Sequence, residues 1–281
     1  MQLKALQQRF RNSLKEIYPT NEIDTFFFWL LEERLQMTKT DFFVKSNVFL
    51  SQDDLAYFED ALHQLQEEKP IQYILGKTDF FGREFQVNSH TLIPRPETEE
   101  LVRWIIEEHA DKKESELGIF EIGSGSGCIP ISLATFFTNA SIRSIDVSEA
   151  AIQTAQKNAQ LNKVDVEFLL QDALQLERIE GKVRILVSNP PYVKNNEKHM
   201  MKKNVLAYEP HTALFVEDDD ALIFYRKIFQ LAKQHQIAFT YLEINEFLAQ
   251  ETLELAGEFQ PSSAILKKDM FGKQRMLKVC F

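Results

Sequence analysis

The chain has 281 residues, room for one large domain or two modest ones at about 150 residues each. Its 44% apolar and 26% charged composition excludes a disordered, collagenous or low-complexity protein. Thirty-two Lys and Arg against forty-two Asp and Glu leave a net charge of −10 and a pI near 5.2, which weighs against a general nucleic-acid binder, because phosphate contacts call for a basic face.

The first 75 residues predict a small helical bundle. Leu3, Leu6, Phe10, Leu14 and Ile17 recur at steps of three and four, one apolar helix face. Pro19 stops that helix, and Asn21 is the expected cap of the next, which carries Phe26, Phe27, Leu30, Leu31 and Leu35. The aromatic run of Phe26, Phe27, Phe28 and Trp29 reads as core. Ser51 with Asp54 resembles a capping box and opens a helix with Leu55, Phe58, Leu62 and Leu65 inward. Shorter helices are expected over 40–47 and 70–75. Eight basic against twelve acidic residues make this region no nucleic-acid arm.

Residues 78–88 read as two short strands turned at Gly82. Pro94 and Pro96 bias their predecessors toward extended backbone, so 76–96 is expected to be a hairpin linker. Glu97 and Thr98 lead into a helix that runs to about His109. From Gly118 onward short apolar runs alternate with helical patterns. Strands are expected over 119–122, 141–146, 164–169, 183–188 and 238–244, and helices over 128–137, 149–161, 221–235 and 246–258. Such alternation implies a mostly parallel sheet covered on both faces. A closing antiparallel hairpin is expected from 264–269 and 275–281, turned at Gly272. Residues 194–215 read as a long loop carrying Lys194, Lys198, Lys202 and Lys203, either a solvated charge run or a flap over an incoming substrate.

Three elements carry chemistry. In Glu121-Ile122-Gly123-Ser124-Gly125-Ser126-Gly127, glycines at a strand end let the backbone turn sharply and approach a ligand, and the helix that follows offers free amides. Cys128 stands where a dinucleotide fingerprint wants Gly, and no Gly-Lys-Ser/Thr follows. Asp146 ends the next strand twenty-three residues after Gly123, close to the offset of about 20 at which an acid grips ribose hydroxyls. Its position would also satisfy a helix-capping acid. Asp172, past the third strand, is placed to meet an adenine edge or to be an ordinary turn residue.

The third element, Asn189-Pro190-Pro191-Tyr192, is the most informative. Two prolines remove two amide donors and stiffen the backbone, leaving carbonyls that only accept. The Asn189 amide oxygen adds an acceptor, and Tyr192 is expected to supply a flat face. A rigid acceptor pair suits the two hydrogens of an NH2 group. An amide nitrogen is a poor nucleophile, and holding both N–H bonds favours a pyramidal nitrogen with its lone pair aimed one way. Positioning and preorganised acceptors then supply most of the catalysis.

Residues 91–97 and 121–127, Asp146, residues 189–192 and the closing Asp269-x-x-Gly272-x-x-Arg275 together resemble the PrmC (HemK) family over essentially the whole chain. Most specific are the stretch Ile93-Pro94-Arg95-Pro96-Glu97-Thr98-Glu99 and the helical leader. The resemblance implies a Rossmann-like S-adenosylmethionine-dependent methyltransferase sheet with a C-terminal antiparallel hairpin, residues 97–281, behind an N-terminal helical domain, residues 1–75, that helps recognise the substrate. It implies methylation of the glutamine side-chain amide in the Gly-Gly-Gln motif of class I peptide-chain release factors, with S-adenosylhomocysteine as product. By the family's pattern Glu121, Gly123, Ser124, Gly125, Ser126, Gly127, Asp146, Asp172, Ala173 and Asn189 meet the cofactor. Asn189, Pro190, Pro191 and Tyr192 form the catalytic acceptor pocket. Some members carry an aromatic where Ala173 stands, a departure that bears on adenine stacking.

Two other functions are compatible with parts of this pattern. An amino-group methyltransferase acting on adenine in DNA or guanine in RNA uses the same acceptor logic but normally carries a basic recognition surface. A non-catalytic scaffold would have no need of residues 189–192. Cys128 and Cys280 match no zinc or redox spacing and the histidines match no ligand pattern, so no metal is expected. The longest aromatic-aliphatic run, 26–31, is far short of the ~20 residues a membrane span needs, and Lys4, Arg9, Arg11 and Lys15 interrupt any apolar leader. A cytoplasmic monomer, without direct nucleic-acid or membrane contact, is the expectation.

Overall fold

The computed structural model describes residues 1–281, which divide into two units, Met1–Gly76 with Lys202–Tyr208 and Lys77–Met201 with Glu209–Phe281. No helix is long and apolar enough to cross a membrane.

The smaller unit holds α1 (Leu3–Leu14), α2 (Thr20–Leu35), α3 (Lys39–Lys45), α4 (Gln52–Gln66) and α5 (Ile71–Leu75). Its core forms because the apolar stripes of α1, α2 and α4 face one another. Phe10, Phe27 and Phe58 are fully buried, and Phe10 meets Phe27 edge-to-face with centroids 5.5 Å apart. Arg11 reaches Asp24 with two hydrogen bonds of 2.7 Å, tying α1 to α2. Three expectations change. Helix α1 ends at Leu14, so Ile17 leaves the apolar stripe and is exposed. Pro19, not Asn21, occupies the cap position of α2. Trp29 projects from the aromatic run to the surface.

The larger unit begins with β1 (Lys77–Phe80) and β2 (Arg83–Gln86), a hairpin whose two turn residues, Phe81 and Gly82, both have positive φ. This is the turn that matches strand twist in two-residue hairpins. The hairpin is no linker, because Phe80 and Phe85 are buried in the same core as Leu101 and Ile105. Next come α6 (Pro96–Glu108), β3 (Leu117–Ile122), α7 (Cys128–Phe136), β4 (Ala140–Asp146), α8 (Glu149–Asn162), β5 (Glu167–Leu170) and β6 (Ile185–Ser188).

Residues 194–215 are not a bare loop. They contain the end of β7 (Val193–Lys194), then α9 (Lys203–Tyr208), α10 (His211–Leu214) and the start of β8 (Phe215–Val216). Helix α9 belongs to the smaller unit, where the Tyr208 hydroxyl donates to the Glu67 carbonyl at 2.9 Å. Lys198 lies over the Phe215 ring, 4.4 Å from its centroid, so at least one of the four lysines is engaged. The chain closes with α11 (Ile223–Gln234), β9 (Phe239–Glu243), α12 (Ala249–Glu258), β10 (Ser263–Lys268) and β11 (Gln274–Cys280).

Seven strands form one sheet in the order β10-β11-β9-β6-β3-β4-β5, parallel from β9 to β5, with β11 antiparallel to both β9 and β10. Two separate apolar clusters, one containing Trp104 and Ile131 and the other Tyr225 and Phe229, reflect helices on both faces. The order reverses between β3 and β6, since the chain builds outward to β4 and β5 before returning to β6. Such a switch point opens a crevice at the carboxyl ends of its strands.

Candidate active site

The crevice is a cavity of about 150 Å³ that carries residues from the ends of β3, β4, β5 and β6. The turn after β3 is clipped to β4, because the amides of Gly123 and Ser124 both donate to the Ile145 carbonyl, at 2.8 and 3.0 Å. Gly125 has φ +51°, and a Cβ built on it would meet nothing within 4 Å. The backbone there faces open cavity. Asn158 on α8 secures the turn from behind. Its amide donates to the carbonyls of Ser126 (2.8 Å) and Gln86 (2.9 Å) and accepts from the Gln86 amide (2.7 Å).

Asp146 ties the glycine turn to the start of α8. One carboxylate oxygen accepts from the Gly125 amide at 2.9 Å and the other from the Ser148 amide at 2.9 Å, while Ser148 caps α8. Lone pairs remain for a ligand's hydroxyls, and the residue lines the cavity. Asp172 caps the short turn after β5, accepting from the Leu174 amide and the Gln175 side chain, and it lines the cavity together with Ala173.

Glu121 is buried on β3. It accepts from the Ser144 hydroxyl, which in turn lies 2.5 Å from that of Ser124. Burial, with Asp146 nearby, pushes its carboxyl well above the usual range against the pull of Ser144. Cys128 also lines the cavity. Desolvation, reinforced by Glu121, pushes its thiol up to about 12.

At the other side of the switch point, Asn189, Pro190 and Pro191 form the cavity wall that follows β6. The Ser188 hydroxyl donates to the Ile122 carbonyl at 2.6 Å, joining the strand ends beneath the two turns. Asn189 Nδ2 lies 3.2 Å from Thr98 Oγ1, and Thr98 donates to Glu243 Oε2 at 2.7 Å. Tyr192 differs from the expectation. It does not line the cavity, its ring packs with the core around Tyr225 and Leu242, and its hydroxyl donates to Glu243 Oε1 at 3.0 Å. Burial raises the Glu243 carboxyl, while Thr98, Tyr192 and the charge of Arg275 draw it back down.

No sequence motif singles out Glu243, Asn158 or Glu209, and Thr98 stands out only as part of a family stretch. Glu209, whose side chain is 1% exposed, accepts from Arg95 at 2.5 Å and from the Ile93 amide at 3.4 Å, fixing the Pro-rich stretch at the cavity wall. A signal was present for Glu243, an acid set within the apolar run Tyr241-Leu242-Glu243-Ile244 at a strand's carboxyl end. The motif Asp269-x-x-Gly272-x-x-Arg275 lies at the closing hairpin. There the Asp269 carboxylate accepts from the amides of Phe271 and Lys273, and Arg275 donates to Glu246 at 2.9 Å.

A glycine turn open to a crevice, carboxylates at two neighbouring strand ends and an acceptor wall across the switch point define a methyltransferase. Solved structures agree on the fold. The hMettl16 catalytic domain bound to a MAT2A 3′UTR hairpin superposes with a TM-score of 0.57 at 15% identity, covering 90% of each chain. The Thermus thermophilus 16S rRNA N2 G1207 methyltransferase in complex with AdoMet and guanosine gives 0.51 at 16% identity, covering 73% of this chain and 49% of that one.

The family is closer. Residues 5–76 match the PrmC N-terminal domain and residues 104–215 the methyltransferase small domain. The release factor glutamine methyltransferase of Flavobacterium psychrophilum is 49% identical over the full length of both proteins. That of Bacteroides thetaiotaomicron is 38% identical over 95% of this chain and 96% of its own. The chain belongs to the PrmC family of release factor glutamine methyltransferases.

Proposed function

We propose that the protein transfers a methyl group from S-adenosylmethionine to the side-chain amide nitrogen of the glutamine in the Gly-Gly-Gln motif of class I release factors. The observation that carries this reading is the convergence of the glycine turn and the Asn189–Pro191 wall on one cavity at the switch point. The donor set suits the cofactor. Gly125 leaves open the space that a side chain would fill, Asp146 retains acceptor capacity for ribose hydroxyls, and Asp172 with Ala173 borders the place for a base. Ala173 brings no aromatic face, so a base there is held by edge contacts and packing. When bound, S-adenosylmethionine supplies an electrophilic methyl group.

The chain's own part is to hold the amide. Asn189 Oδ1 and the Pro190 carbonyl accept the two N–H bonds of the substrate glutamine and turn its lone pair toward the methyl. Neither proline can donate, so no N–H of that wall competes with the guest. No strong base is required, because the proton becomes acidic once the nitrogen is alkylated. Glu243 is not that base, since both its oxygens are engaged by Thr98 and Tyr192. Tyr192 serves this pocket from behind, by bracing Glu243. The reading assigns release-factor docking to the helical unit of residues 1–75 and places the protein, as a monomer, in the cytoplasm.

Mass spectrometry of a purified release factor after incubation with enzyme and S-adenosylmethionine tests the reading. One added methyl on the motif glutamine is expected. Label entering DNA or rRNA and none entering the release factor would overturn it.

A further inference from the structure

The acceptor pocket works only if the Asn189 carboxamide stands one way round. With its oxygen toward the cavity it accepts from the substrate amide; reversed, it sets N–H against N–H. A carboxamide's two ends have nearly the same shape, so packing alone selects poorly between them and hydrogen bonding has to decide.

The structure shows what decides. A threonine hydroxyl carries a single proton. That of Thr98 is directed to Glu243 Oε2 at 2.7 Å, and Glu243 is buried and held at its second oxygen by the Tyr192 hydroxyl at 3.0 Å. Both Glu243 oxygens act as acceptors, so Thr98 commits its proton to Glu243 and has none left to give in the direction of Asn189. Toward Asn189 it presents lone pairs, and Asn189 Nδ2 stands 3.2 Å away. The polarity of the chain Asn189→Thr98→Glu243 runs one way from end to end.

We propose that Thr98 and Glu243 are a positioning pair, in which Glu243 commits the Thr98 proton and Thr98 thereby fixes the Asn189 amide with its oxygen facing the substrate. The pair comes from two places distant in sequence, the first turn of α6 and the end of β9. It couples the Pro-rich stretch and the sheet to the same carboxamide. The inference rests on the function proposed above, because it concerns the group that holds the substrate glutamine.

The test compares Thr98→Val, which keeps the shape and removes the hydroxyl, with Thr98→Ser, which keeps the hydroxyl. For methylation of a release factor, Thr98→Val should lower kcat about 10- to 100-fold, with KM and the cofactor Kd changed less than about threefold. Thr98→Ser should stay within about threefold of wild type. In an Asn189→Asp background an oxygen faces the substrate whichever way the group turns, so adding Thr98→Val should cost less than about threefold more. Exchange of the Asn189 Nδ2 protons with solvent, followed by NMR in the apoprotein, should be slow in wild type and Thr98→Ser and fast in Thr98→Val.

A Thr98→Val enzyme with wild-type kcat, an equal loss in Thr98→Ser, an undiminished effect in the Asn189→Asp background or unchanged amide exchange would each overturn the proposal. A wild-type protein that leaves release factor unmethylated refutes the functional reading instead, and the exchange measurement still reports on the lock.

Discussion

Glu121 and Glu243 are both buried carboxylates near the carboxyl ends of parallel strands, yet their surroundings differ. Glu243 has a donor on each oxygen, Thr98 and Tyr192, and the charge of Arg275 nearby. Glu121 has the Ser144 hydroxyl on one oxygen and feels the repulsion of Asp146. The proposed acceptor side is therefore satisfied within the protein, as suits a pocket for a neutral amide. The cofactor side keeps a carboxyl short of positive charge beside the cavity, an arrangement that suits a cationic guest and costs stability in its absence.

The contrast can be broken at either end. The largest effect is expected at the acceptor side. Asn189→Ala should lower kcat about a thousandfold, while cofactor affinity, measured by calorimetry, changes less than about threefold. Comparable losses in both would mean that the two halves are not separable. On the cofactor side, Gly125→Ala places a methyl group in the open cradle at φ +51°. The strain should cost about 1–2 kcal/mol of stability, and cofactor affinity should fall about 10- to 100-fold with kcat at saturation largely kept.

The smallest effect is the most diagnostic. The carboxyl of Glu121 titrates higher in the folded chain than its unfolded value of about 4.3. Its contribution to stability is then full below that pH and is lost as pH rises through the folded value. The thermal midpoint of the apoprotein should decline over that range, and Glu121→Gln should flatten the decline. A positively charged cofactor favours the ionised form, so binding should release a proton and tighten as pH rises in the wild type but not in Glu121→Gln. Calorimetry in buffers of different ionisation enthalpy counts that proton.

The proposed cofactor side is largely legible in the sequence because it is built from neighbours in the chain. Residues 123–127 lie in one turn, and Asp146 and Asp172 each follow a strand that hydrophobic alternation marks out. The acceptor side was legible only in its front wall, Asn189, Pro190 and Pro191. Its support comes from Thr98, 91 residues away from Asn189 in sequence, and from Glu243, which no local pattern connects to either.

Tyr192 shows the same limit, since a tyrosine after two prolines reads as a platform until the acceptor for its hydroxyl is known. The helices within 194–215 were missed because α9 and α10 span six and four residues, too few to show a period. The hairpin of 77–86 was visible as a hairpin, but the burial of Phe80 and Phe85 in the larger unit depends on partners such as Leu101.

Cys128 stands at the wall of a cavity proposed to hold an alkylating agent. Thiolates are the side chains most readily alkylated, whereas neutral thiols react slowly. With its thiol pushed up to about 12, Cys128 stays almost wholly in the neutral form near pH 7. The same desolvation and neighbouring Glu121 that shape the pocket thus guard the enzyme against spending its reagent on itself.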